Sequence, residues 1–227
     1  MKIIEEVYKW ARSTFSPQIP DTIVIHHALS RNCTAQDIHR WHLANGWKGI
    51  AYHFFIRKDG SIYRGRQEHH VGGGLLGSEN NNKLQICLEG CYTDYTSNGK
   101  VLTEKEVPEA QMNALVWLIK DIKTRWEIKK IKGHFEYQSA INDGHKDCPG
   151  KYFYWDRLNN MLEDTLSQLR TIYEDADLIS PWAREAVLWA YNKGIMSGDG
   201  KRFNPQGPLT REQNAVIEYL KEMAEWK

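Results

Sequence analysis

Between Gly133 and Gly150 the chain reads GHFEYQSAINDGHKDCPG, and no other stretch limits its possible folds as sharply. This segment holds His134, Glu136, Asp143, His145, Lys146, Asp147 and Cys148 between turn signals, with too little apolar pattern for one regular element. Imidazole and thiolate are the donors zinc prefers, while carboxylates and Lys146 suit proton or charge work beside it. His134 and Cys148 stand too far apart in sequence to form a short metal signature by themselves. A catalytic zinc takes three protein ligands and keeps a fourth position open for water. The fold must therefore carry a third donor to this segment from elsewhere.

The strongest source lies near the start. Thr22-Ile23-Val24-Ile25 is a β-branched run that reads as a buried strand, and it ends on His26-His27. Ligands at a strand end are rigidly held yet open to a cleft, and alternation sends one histidine to each face, so at most one is a ligand. Thr34 to Asp37 predicts a helix start that closes at Asn45-Gly46, with Ile38, Trp41 and His42 on one face and Trp41 in the core. Ile50 to Arg57 predicts a second strand, turned by Lys58-Asp59-Gly60 into Ser61 to Arg64. Tyr52 on that strand is a candidate donor to an oxyanion as well as an ordinary strand aromatic.

A loop from Gly65 to Asn82 follows, with Gly72-Gly73-Gly74 inside it. No Lys-Ser/Thr follows the glycines, so they read as a flexible cleft wall rather than a phosphate loop. His69 and His70 read as surface histidines, and Lys83 to Glu89 as the third strand with Cys87 buried. Thr103 to Glu106 has the capping-box pattern for a long helix, Ile128 to Lys132 is a short strand, and Tyr152 to Leu169 predicts one further helix. Strands alternating with helices make this an α/β domain, a central mixed β-sheet flanked by helices.

From Tyr173 the character changes. Ser180-Pro181 starts a helix that stops at Gly194, a Gly/Pro loop follows, and Thr210 to Gln213 caps a last helix. The expected organisation is a domain over residues 1–170 and a small α-helical module over 171–227, consistent with a 227-residue length. A net charge of +1 gives no basic surface for nucleic acid. Four cysteines without CxxC pairing point to a reducing compartment. The first residues lack a signal-peptide core and no apolar run spans a membrane, so a cytoplasmic chain at synthesis is expected. Nine Trp and eleven Tyr read first as packing and second as platforms for sugars or peptides.

Five ordered motifs carry a family resemblance: IVIHH at 23–27, GIAYHFFIRKDG at 49–60, ICLEG at 86–90, GH at 133–134 and KDCPG at 146–150. Over roughly residues 20 to 160 the chain resembles the zinc-dependent N-acetylmuramoyl-L-alanine amidases, which include phage lysozyme-type amidases and peptidoglycan recognition proteins. The resemblance implies Zn2+ held by His26, His134 and Cys148, with Tyr52 and Lys146 stabilising the oxyanion. It implies cleavage of the bond between N-acetylmuramic acid and L-alanine by zinc-activated water. Lys83-Leu84-Gln85 departs from the family's Ser-Ile-Gly, and the segment between His134 and Cys148 is long and acidic. Glu89 and Glu136 are candidate accessory acid/base groups, with surface or structural roles the favoured reading.

Residues 174–213 resemble one S-layer homology motif, with WAREAV, FNP and LTRE. Such motifs bind anionic secondary polymers of Gram-positive walls, commonly in sets of three. A single copy implies either oligomerisation or another role such as packing, with Trp182 and Arg211 as candidate contacts. The expected protein is a phage or prophage endolysin, made in the cytoplasm and acting on the peptidoglycan of the bacterial wall. The competing readings are a host autolysin or muropeptide-recycling amidase and a non-catalytic peptidoglycan recognition protein. Binding-only relatives usually lack the zinc cysteine, whereas Cys148 is present.

Overall fold

A computed structural model describes residues 1–225 apart from Asp143, His145 and Asp164. His145 thus lies outside the described residues. The chain divides into two compact units, Met1–Leu158 and Asn159–Lys227.

In the first unit β1 (Ile3–Ile4) precedes β2 (Thr22–His27), α1 (Ala35–Ala44), β3 (Phe54–Ile56), β4 (Ile62–Arg64) and β5 (Lys83–Leu88). A small hairpin, β6 (Thr96–Ser97) and β7 (Lys100–Val101), then leads to α2 (Glu109–Arg125), β8 (Lys130–Gly133), α3 (Gln138–Asn142) and α4 (Trp155–Leu162). The six-stranded sheet has the order β1-β4-β3-β5-β2-β8, and only the β3–β4 pair is antiparallel. This is the expected central mixed sheet flanked by helices. Ile23, Val24 and Ile25 on β2 and Leu84, Ile86 and Leu88 on β5 are fully buried. An uninterrupted apolar run is what a parallel strand covered on both faces requires. Leu115, Leu118, Ile119 and Ile122 form the buried stripe of α2.

Several local expectations change. Thr34 and Asp37 form a reciprocal capping box at α1, but the buried face of that helix is Ala35, Ile38 and His39, and Trp41 is 44% exposed. His39 fills the position instead, accepting the Ile50 N–H at 3.1 Å through Nδ1. The second strand is shorter than expected. Around Ala51 to His53 the carbonyls accept from Gly73, Arg66 and Gly65 of the following segment instead. No helix begins at Thr103. Its hydroxyl accepts the Tyr95 N–H at 3.0 Å, Glu104 accepts the Cys91 N–H at 3.1 Å, and α2 starts after Pro108. The β6–β7 hairpin turns on Asn98-Gly99, both at positive φ, the strongest short hairpin signal there is. Tyr152 to Leu169 is two helices, α4 and α5 (Thr165–Ile172), rather than one.

In the second unit, α5 is followed by α6 (Arg184–Asn192) and α7 (Arg211–Glu225). Leu169, Tyr173, Ala176, Ile179 and Val187 form its core, with Phe203 packed against them. The Asp175 carboxylate fastens the loop by accepting the N–H groups of Phe203 and Asn204, each at 2.8 Å. Thr210 and Gln213 form the predicted capping box of α7. Among the described residues, no helix is long and apolar enough to cross a membrane.

Candidate metal centre

Parallel pairing assembles the site. In the β2–β8 register Ile25 stands opposite Gly133, so the next residues, His26 and His134, leave adjacent strands side by side. Their ring centroids are 4.8 Å apart. Cys148 arrives from the far side of the loop, tied down by the Phe135 N–H donating to its carbonyl at 2.9 Å. Glycine is required where this segment turns: Gly150 sits at φ +109, and a Cβ there would overlap the Tyr92 carbonyl. Donor atoms of His26, His134 and Cys148 lie within 4.8 Å of one another, and all three residues are buried.

His27 points away from this cluster, as strand alternation demands. Its Nδ1 accepts the Tyr92 N–H at 3.1 Å. The Ser139 hydroxyl lies 3.3 Å from Nε2 of His134. Glu79 in turn accepts the N–H groups of Gln138 and Ser139 at 3.1 and 3.2 Å, fixing the start of α3. Such outer groups orient a ligating imidazole. Neither Ser139 nor Glu79 carries a motif signal, so the sequence reading missed both.

Burial pushes the Cys148 thiol up to about 12, and only the backbone N–H of His27 opposes it. A metal ion binding here has to displace that proton, which makes affinity pH-dependent. Two imidazoles and one thiolate suit a d-block cation rather than an oxygen-seeking Mg2+ or Ca2+. The donor set therefore fits a metal.

Above the cluster opens a cleft of about 590 Å³, lined by His26, His134, Cys148 and Tyr52 among others. The Tyr52 ring lies 5.0 Å from that of His26. Burial raises its phenol well above the ordinary value. Gly72, Gly73 and Gly74 form a wall, but a pinned one. The Gly73 N–H donates to the Ala51 carbonyl at 3.0 Å and the Gly74 N–H to Oε1 of Gln85 at 2.9 Å. Packing explains the glycines. A Cβ at Gly74 would stand 2.8 Å from the Tyr52 ring, and one at Gly73 would stand 2.9 Å from the Arg66 guanidinium.

Lys146 is exposed and is not among the residues lining this cleft. Glu89, 1% exposed, is structural: it accepts the N–H groups of Cys33 and Lys58 and pairs with Arg57 at 3.2 Å. Glu136 accepts the Gly133 N–H and pairs with Lys132 at 3.2 Å. In the second unit Trp182 is 88% exposed and Arg211 is also exposed. Neither lines the groove of about 680 Å³ bounded by Phe203, Leu209 and Val216.

Three protein donors that leave coordination positions open toward a cleft are arranged as in a metallohydrolase, not as in a closed structural metal site. Comparison with known proteins agrees. Residues 16–151 match the N-acetylmuramoyl-L-alanine amidase family, and residues 172–215 match the S-layer homology domain. The endolysin of Escherichia phage T7 is 32% identical over 119 residues, which cover 51% of this chain and 75% of that protein. The N-acetylmuramoyl-L-alanine amidase LysC from Clostridium intestinale superposes with a TM-score of 0.58 at 35% identity, over 71% of this chain and 97% of that one. Peptidoglycan-recognition protein SC2 of Drosophila melanogaster is 30% identical over 136 residues, covering 56% of this chain and 66% of that protein. The chain belongs to the N-acetylmuramoyl-L-alanine amidase family, and it is a peptidoglycan amidase.

Proposed function

We propose that the chain is an endolysin whose zinc ion is held by His26, His134 and Cys148, and that it cleaves the amide between the lactyl group of N-acetylmuramic acid and L-alanine. The observation that carries this reading is the convergence of those three buried donors beneath an open cleft. When bound, zinc supplies Lewis acidity that polarises the amide carbonyl and acidifies water. The protein's own groups position the substrate. Gly72 to Gly74 present backbone without side chains, so a peptide can approach closely. Tyr52 keeps its proton through burial and serves as a hydrogen-bond donor to the carbonyl oxygen as negative charge grows there, an effect worth roughly 3 kcal/mol per donor. Lys146, exposed and two residues before Cys148, is assigned a supporting role as a cation for the same oxygen.

In this reading the amidase domain spans residues 1–170, and the module over 171–227 holds a secondary wall polymer through Trp182 and Arg211. The two roles suit a protein made inside a host cell and acting on its wall. Purified protein is expected to carry about one zinc per chain, and both Cys148→Ala and chelation abolish wall lysis. Mass spectrometry of digested peptidoglycan should find new L-alanine amino termini on intact glycan. Full lysis by metal-free protein, or new reducing ends in place of amino termini, would refute the assignment.

A further inference from the structure

At the end of the cleft formed by Phe15, Lys48 and Arg66, two cationic side chains stand without an acid. The described residues lining the cleft include no Asp or Glu. Lys48 Nζ donates to the Thr14 carbonyl at 2.6 Å and lies 5.2 Å from the centre of the Phe15 ring. The Arg66 guanidinium lies 5.1 Å from the same ring, so one aromatic gathers both charges. Arg66 is only 6% exposed, yet its hydrogen bonds go to the carbonyls of Ile50 at 2.9 Å and Val71 at 3.0 Å. Among the described residues neither cation has a carboxylate within ion-pair distance. By contrast the half-buried Arg57 is paired with the buried Glu89 at 3.2 Å. Desolvating a guanidinium without a counter-charge is costly, and burial lowers Arg66 to about 10. An anion arriving with the substrate would recover part of that cost.

N-acetylated sugars are neutral, whereas the peptide attached to the lactyl group carries free carboxylates close to the scissile amide. Arginine and lysine side by side are suited to a carboxylate, the first by its planar fork and the second as a point charge. We propose that Lys48 and Arg66 form a carboxylate-reading pole of the cleft that selects peptide stems bearing a free carboxylate over their amidated counterparts. This specificity role rests on the amidase reading above. Arg66 is the preformed, buried half of the pole. Lys48, partly exposed and anchored only to a carbonyl, is the adjustable half.

The test uses the zinc-loaded full chain and two synthetic muramyl peptides that differ only in a carboxylate or carboxamide on the stem. The acid is expected to be preferred in kcat/KM by on the order of tenfold, chiefly through KM. Lys48→Met should narrow the acid-to-amide ratio to about twofold, and Lys48→Arg should restore it. Equilibrium binding of both peptides to the full chain, read by calorimetry, should show the same preference without turnover. If neither peptide is cleaved but the acid still binds more tightly, the amidase reading fails and the carboxylate pole stands. Equal binding of acid and amide, or a ratio unchanged by Lys48→Met, would overturn the pole.

Discussion

His53 shows how one buried side chain sets a condition on the whole molecule. It is fully buried; its Nδ1 accepts the Gln85 N–H at 2.9 Å and its Nε2 donates to the His70 carbonyl at 2.8 Å. The bond to Nδ1 needs the neutral ring, and desolvation lowers His53 to about 4 from 6.5. Above pH 6.5 the ring is neutral folded or unfolded and imposes no penalty. Below 6.5 the unfolded chain takes up a proton that the folded one refuses until about pH 4. Stability therefore falls as pH drops through this window and levels off beneath it, by an amount on the order of 3 kcal/mol. His42, also lowered to about 4 by burial, acts in the same direction. Urea denaturation across pH 4 to 7 should show this slope, and His53→Gln should flatten it. A variant that follows the parent slope would show that the acid sensitivity lies elsewhere.

Among the elements, the Gly72–Gly74 wall has little room for added volume. Gly74→Ala places a methyl against the Gln85 amide oxygen and the Tyr52 ring, both of which are held in place. Overpacking of this kind costs about 1–3 kcal/mol. Because the displaced ring is Tyr52, kcat/KM should fall further than stability. Paired denaturation and kinetic measurements separate these effects; a variant with parental kinetics would mean that the wall does not position Tyr52. On the other side of the site, α3 matters through its first turn, where Glu79 fixes the backbone and Ser139 reaches His134. This helix is short, but it orients a ligand.

At the scale of the whole molecule the two units bear separate family matches, residues 16–151 and 172–215. The solved amidase LysC is covered over 97% of its length by 71% of this chain. Ending the chain after Ile172 is expected to preserve cleavage of small muropeptides and to weaken pull-down by whole cell walls. Wall binding equal to that of the full chain would remove the binding role from the second unit. Loss of muropeptide cleavage would instead make that unit part of the catalytic fold.

Much of the site is legible in the sequence. The apolar run ending in His26-His27, the GH at 133–134 and the KDCPG at 146–150 specify donors of the right chemistry in rigid local settings. Asn98-Gly99 is likewise a local hairpin signal. Other features depend on partners distant in sequence. Parallel pairing of β2 with β8 sets His26 beside His134, a relation no local pattern encodes. His39 displaced Trp41 from the core because it could satisfy the Ile50 N–H, and Thr103 became a loop acceptor because Tyr95 needed one. The two cations around Phe15 look ordinary in sequence, and only folding shows that no acid among the described residues pairs with them. Residue chemistry and short-range periodicity determine which groups are available. Long-range pairing and the need to satisfy buried polar groups decide which of them meet.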